Sequence, residues 1–257
     1  MKFSLAAIFA LLFFGLFAQE VNQVDSKGRK QGKWEKLYPN SIVFQYKGEF
    51  KDDKPVGKFT YYYESSKVKA IINHNKFEAG RSEAFFYHEN GNVMSYGIFH
   101  DMKKDSTWVN LTPSGRLSTV ENYKEDKLHG ETKVYFIPED PDDKSQLISA
   151  VMNYEDGLLN GPYKEYFLNQ KVKTKGKYVN HKQDGPWEEF HINGQRAATY
   201  RYKDGEKHGY AIAYDETGKR LAKAFYYYGQ RLEGEQLEHK LQQLKDVGIN
   251  PYTMTTE

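Results

Sequence analysis

The stretch that decides the fold is GPWEEFHINGQRAATYRYKDGEKHG, Gly185 to Gly209. An opening glycine is followed two residues later by Trp187, then by a second aromatic at Phe190, then by Asn193-Gly194. A further run from Arg196 to Lys203 leads into Asp204-Gly205. Asn-Gly and Asp-Gly tolerate the positive φ angles of tight turns, and the runs between them suit half-buried strands. The phrase reads as one β-hairpin plus the turn that opens the next.

The phrase is repeated along the chain. Its opening position falls at Gly32, Gly57, Gly80, Ser106, Gly130, Gly161, Gly185, Gly209 and Gly234, a period of about 24 residues with one longer step after Gly130. A period this short marks a quasi-one-dimensional array whose units cannot bury an apolar face alone. Each first strand begins with an aromatic, at Trp34, Phe59, Trp108, Tyr163 and Trp187, and a second follows at Tyr38, Tyr63, Tyr166 and Phe190. Hairpin tips are expected at Asn90-Gly91, Ser114-Gly115, Asn193-Gly194 and Thr217-Gly218. Asn169-Gln170 fills the same slot without glycine, which predicts a looser turn or a left-handed residue there.

The second strands carry the period of two. KVKTKGKYV puts Lys171, Lys173, Lys175 and Lys177 on one face and Val172, Thr174, Gly176 and Tyr178 on the other. By the same alternation the inward sets are Phe44, Tyr46 and Phe50; Met94, Tyr96 and Ile98; Ile148, Ala150, Met152 and Tyr154; and Ala198, Tyr200 and Tyr202. These side chains are expected to stack as a continuous ladder of cross-strand neighbours. Two strands per unit advance the sheet by roughly 10 Å, so eight units predict a ribbon of about 75–80 Å with two bare edges. From Glu235 the pattern becomes helical, with Leu237, Leu241 and Leu244 on one face, and predicts a cap on the last hairpin. The fold class is thus all-β, an elongated single-layer antiparallel sheet of consecutive hairpins closed by a short C-terminal helix.

A glycine, an aromatic two residues on, a second aromatic, an Asn-Gly tip and a closing glycine together resemble the MORN repeat in its bacterial variant form. GPWEEFHINGQRAATYRYKDGEKHG and GNVMSYGIFHD match it best, with GPYKEYFLNQKVKTKGKYVNHKQDG close behind. The resemblance runs from about Gly32 to Gly234. It implies an elongated sheet of hairpins and a scaffold or binding role, with antitoxin-like labels among bacterial members and no shared catalytic residues. Ser106 departs from the pattern at an opening glycine, and Ser82 and Thr132 depart at the first aromatic.

Composition agrees with half-buried strands. Aromatic residues make up 16 % and charged residues 28 % of the 257 residues, and the formal net charge is +2. That balance supplies no global field for nucleic acid. MKFSLAAIFALLFFGLFAQE has the layout of a secretory signal peptide with cleavage after Ala18. Residues 1–18 are therefore read as the signal, 19–31 as a lead-in, 32–233 as about eight repeats and 234–257 as the capping helix and tail. Cysteine is absent, so neither a disulfide nor a thiolate metal site is available. The expected location is extracytoplasmic: periplasmic, secreted or envelope-associated.

His129 and His208 share one turn slot, and His88 and His191 share another, in units that are not neighbours. Glu139, Asp140, Asp142 and Asp143 crowd the long loop, but their spacing is not that of a calcium loop. The lysine row from Lys171 to Lys177 raises an anionic surface as an alternative. No nucleophile elbow, zinc-helix motif or phosphate loop is present, and a single-layer ribbon makes a poor cleft for paired carboxylates. The expectation is a non-enzyme with no cofactor and no metal. Its binding surface is expected to be built from Trp34, Tyr46, Trp108, Tyr163, Tyr178, Trp187, Tyr200 and Tyr202, most simply for a protein partner. Toxin neutralisation and glycan or membrane-surface binding are the alternatives.

Overall fold

The computed structural model describes residues 20–256 apart from Lys76, Phe77, Ala79 and Pro141. The expected export signal lies outside the described residues. One antiparallel sheet of 20 strands runs through the chain, and its long strands pair in sequence order. The strands Lys182–Phe190 and Arg196–Lys203 form the hairpin of the opening phrase, and Val172–Val179 pairs on its other side. A two-residue strand, Gln23–Val24, covers part of the first edge, so that edge is not wholly bare.

The turn chemistry follows the sequence. Gly91, Gly115, Gly194 and Gly218 all have positive φ, and Gln170 takes the left-handed conformation (φ 60°) where glycine is missing. The tips close as a three-residue bend: Gly194 N–H donates to His191 O, and His191 N–H donates to Gln195 O. Between units, Asp156-Gly157 and Asp204-Gly205 both carry paired positive φ angles, the signature of a two-residue hairpin turn.

The opening glycines have a different job, which the sequence did not disclose. Lys175 pairs with Glu188 and Lys177 with Asp184, so Gly185, Pro186 and Trp187 together bulge opposite the single residue Gly176. Ser106, Thr107 and Trp108 do the same opposite Gly97, and Gly57, Lys58 and Phe59 opposite Gly48. A left-handed residue starts each bulge, and Ser106 is held at φ 59° to do so. The bulge folds the aromatic back over the glycine of the preceding unit. A Cβ on Gly48, Gly97 or Gly176 would meet that ring at 2.2–2.4 Å.

Directly paired residues share a face, so the pairings assign the two faces of the sheet. One face carries Trp34, Tyr46, Phe50, Phe59, Tyr61, Phe86, Phe99, Trp108, Tyr163, Tyr178, Trp187, Tyr200 and Tyr202. The assignment of Met94, Tyr96 and Ile98 to that face is wrong. Ser95, Gly97 and Phe99 point there instead, while Tyr96 stacks on Phe85 on the opposite face and is 41 % exposed. Both alternate sets of this strand contain apolar residues, and the glycine needed beneath Trp108 decides between them.

The ladder is also not continuous in rings. Trp34, Phe50, Phe59 and His74 form one run of ring contacts, Phe86, Phe99 and Trp108 a second, and Tyr163, Tyr178, Trp187, Tyr202 and Tyr200 a third. The interruptions fall at Ser82 and Thr132, the two units that lack the first aromatic, and both residues are buried there. Ile72 and Ala84 fill the first gap against Trp108. The sheet packs on through smaller side chains.

At the C-terminal end the bulk changes face. Gly209, Ala211, Ala213, Ala222 and Ala224 occupy the ladder face, and Tyr210, Phe225 and Tyr227 the other. The helix Gly234–Asp246 lies on that second face, with Leu244 buried against Phe225 and Leu232 and with Leu237 and Leu241 beside them. It closes the last hairpin from the side rather than prolonging the ladder. Among the described residues no helix is long and apolar enough to cross a membrane.

Candidate binding face

The expected contact residues separate by depth. Trp108 is 0 % and Trp187 4 % exposed, because each lies in a bulge over a glycine, so neither can present a surface to a partner. They are the wedges of the core. The other six, Trp34, Tyr46, Tyr163, Tyr178, Tyr200 and Tyr202, are half-buried on the ladder face. Trp34 packs edge-on against Phe50, and its indole N–H is shared between Gln23 O and Gln31 O.

Tyr46 lines an apolar groove on the ladder face. Tyr61, Ala70, Ile72 and Phe86 complete its walls and floor, Tyr38, Tyr62, Gln45 and Lys69 form the rim, and the volume is about 430 Å³. The depression exists because Ala70 is small where neighbouring positions carry rings. Burial, followed by the charge of neighbouring Tyr46, pushes the Tyr61 hydroxyl upward, so it stays a neutral hydrogen-bond donor at ordinary pH. Tyr61 and Phe86 were not picked out from the sequence. Tyr61 lies two residues beyond Phe59 and therefore on the same face, a signal that was available.

The tyrosines farther along are wired to carboxylates that were also missed. Tyr123 donates to Glu121 (2.9 Å) and Tyr200 lies 3.4 Å from Glu189. Burial first, then the charge of Glu165, pushes the Tyr163 hydroxyl well above the ordinary phenol range. These phenols remain protonated and act as donors, which holds the rings in fixed orientations.

The histidines are connectors. His88 Nε2 contacts Leu111 O (3.0 Å) and His191 Nε2 contacts Tyr214 O (2.9 Å), each a carbonyl of the next unit. Tyr38 and Tyr63 play the same part, donating to Tyr62 O (2.6 Å) and Tyr87 O (2.7 Å). In the long loop, Asp140 and Asp143 accept backbone N–H bonds from Asp142 and Ser145. Among the described residues no group of three or more His, Asp or Glu side chains is arranged to hold a metal ion. In the lysine row, Lys175 and Lys177 are ion-paired with Glu188 (2.6 Å) and Asp184 (2.8 Å).

The hairpin that forms the groove, with strands Lys54–Tyr62 and Val68–His74, also carries the family signature: residues 55–76 match the MORN repeat variant family. This unit is a MORN repeat variant. Bulges and tips of the same kind recur at other hairpins along the chain, which makes this a repeat protein. No curated protein sequence matches the chain.

Among solved structures, TarM aligns with 52 % of this chain and 20 % of its own length, at 15 % identity and a TM-score of 0.18. The Photorhabdus luminescens Tc holotoxin pore aligns with 68 % of this chain and 11 % of its own, at 10 % identity and a TM-score of 0.19. The chain thus spans a fifth or less of either protein. Likeness at this level carries no argument about fold or activity.

Proposed function

We propose that this is an exported, non-catalytic MORN-type scaffold that presents the ladder face of its sheet to a partner protein. The observation that supports this reading is the groove around Tyr46, Tyr61, Ala70 and Phe86. Its walls are aromatic and aliphatic, with Gln45, Lys69 and tyrosine hydroxyls as the polar groups. That chemistry suits an apolar side chain presented by a protein. A sugar would require more directed hydrogen-bonding groups. Half-buried tyrosines give large rigid area with a hydroxyl handle, which is what interfaces select.

A photo-crosslinking amino acid placed at Tyr46 tests the proposal, with the same group at Lys58 on the opposite face as control. Cells expressing each version are irradiated and the adducts identified by mass spectrometry. A protein adduct from position 46 that is absent from position 58 is expected. Equal or no adducts, or glycan binding lost on Tyr46→Ala, would defeat it.

A further inference from the structure

The sheet holds a second recess, on the face away from the ring ladder. It lies between the sheet and the C-terminal helix and tail and has a volume of about 450 Å³. Leu244 of the helix and Ile249 and Met254 of the tail form its apolar side, and Thr253 and Thr255 add hydroxyls. Tyr227 and Tyr228 form an aromatic wall. Arg201, Lys203 and His208 line the sheet side.

The charge in this recess is unbalanced. Asp184 is the one carboxylate in the lining, and Lys177 already pairs with it at 2.8 Å. Among the described residues neither Arg201 nor Lys203 has an ion-pair partner within 4.0 Å, whereas Arg196 on the same strand and Lys175 and Lys177 two strands away all have one. The His208 ring packs against Tyr227 and Tyr228, with centroids 5.0 and 4.3 Å away, and its Nδ1 is 3.3 Å from the Tyr228 N–H. Burial comes first and the charges of Lys203 and Arg201 follow in holding its imidazole below the ordinary range. The three basic groups therefore sit close enough to feel one another.

We infer that this recess binds a small soluble organic anion, its oxyanion held by Arg201 and Lys203 and its flat apolar body lying against Tyr227, Tyr228 and Met254. A guanidinium fork matches carboxylate and phosphate oxygens alike, and an anion is the species that relieves clustered like charge. The ligand is small because the tail segment around Met254 closes one side of the recess. The site shares no lining residue with the Tyr46 groove and stands independently of the scaffold proposal.

Calorimetric titration of the purified protein with benzoate, phenyl phosphate and phenol tests the inference. Saturable binding of either anion is expected, with phenol inert, and the two anions separate carboxylate from phosphate preference. Arg201→Gln and Lys203→Gln should each weaken binding at least tenfold, and Lys171→Gln, outside the recess, should leave it unchanged. Lys203 is exposed, so its replacement cannot act by unfolding the sheet. No saturable heat at millimolar ligand, equal binding of phenol, or indifference to both substitutions would overturn the assignment.

Discussion

Trp108 is seated directly over the Cα of Gly97: a methyl group on that glycine would meet Trp108 Cδ2 at 2.4 Å. The indole is wholly buried and its N–H donates to Ile98 O at 3.1 Å. Gly176 and Gly48 hold Trp187 and Phe59 in the same way. Each ring belongs to one unit and each glycine to the unit before it. These pairs are the joints of the array.

Gly97→Ala is therefore expected to destabilise the protein by about 1–3 kcal/mol, the usual cost of forcing extra volume into a packed site. The mechanism is steric, because Gly97 does not have positive φ. Urea unfolding followed by tryptophan fluorescence measures it. A midpoint equal to that of the parent would mean that the ring can move aside, and the joint would lose its role.

Ser106 gives the opposite expectation. It adopts φ 59° at the position where other units carry glycine, a conformation that costs an L-residue roughly 1–2 kcal/mol. Glycine relieves that strain but adds freedom to the unfolded chain, so Ser106→Gly should gain about 0.5–1 kcal/mol. Thermal melting that shows a loss instead would indicate that the Ser106 hydroxyl bond to Asp105 (2.9 Å) outweighs the strain.

The hydroxyl bonds between units can be removed one atom at a time. Tyr63→Phe deletes the bond to Tyr87 O and leaves the ring in place. A cost of about 0.5–1.5 kcal/mol is expected. Hydrogen exchange should show faster opening of amides in Arg81–Tyr87 than in the distant strand Arg196–Lys203. Uniform acceleration would contradict a local bond.

Acid should weaken the fold through His74. The side chain is buried against Phe59, its Nδ1 lies 3.3 Å from Ser82 Oγ, and its Nε2 has no partner among the described residues. Burial holds the imidazole below its ordinary value of 6.5, so it is neutral when folded. Below pH 6.5 the unfolded chain takes up a proton that the folded chain refuses, and stability falls progressively toward the lower folded value. His208, depressed in the same direction, adds to the trend. The urea midpoint should drop between pH 7.5 and 5, and His74→Gln should flatten that drop. A variant with the parent's full pH dependence would rule His74 out as a cause.

Much of this protein was legible in its sequence because the relevant chemistry is local. Gly194, Asp204 and Gly205 take the positive φ angles that tight turns need and that glycine and aspartate accept at low cost. Their repetition gives the hairpin array, and the leucines of 237–244 give the helix. The face of the strand Val93–His100 was not legible, because Met94, Tyr96 and Ile98 are as apolar as the alternate set that contains Phe99. Only contact with the next unit, where Trp108 requires a bare Cα beneath it, breaks the tie. The same contact buries Trp108 and Trp187, and the small Ala70 opens the groove beside Tyr46. The side on which the helix packs was also a tertiary decision, set by where Phe225 and Leu232 left apolar surface uncovered. Backbone turns are properties of a few bonded residues, whereas burial is a property of the neighbours a residue meets after the chain has folded.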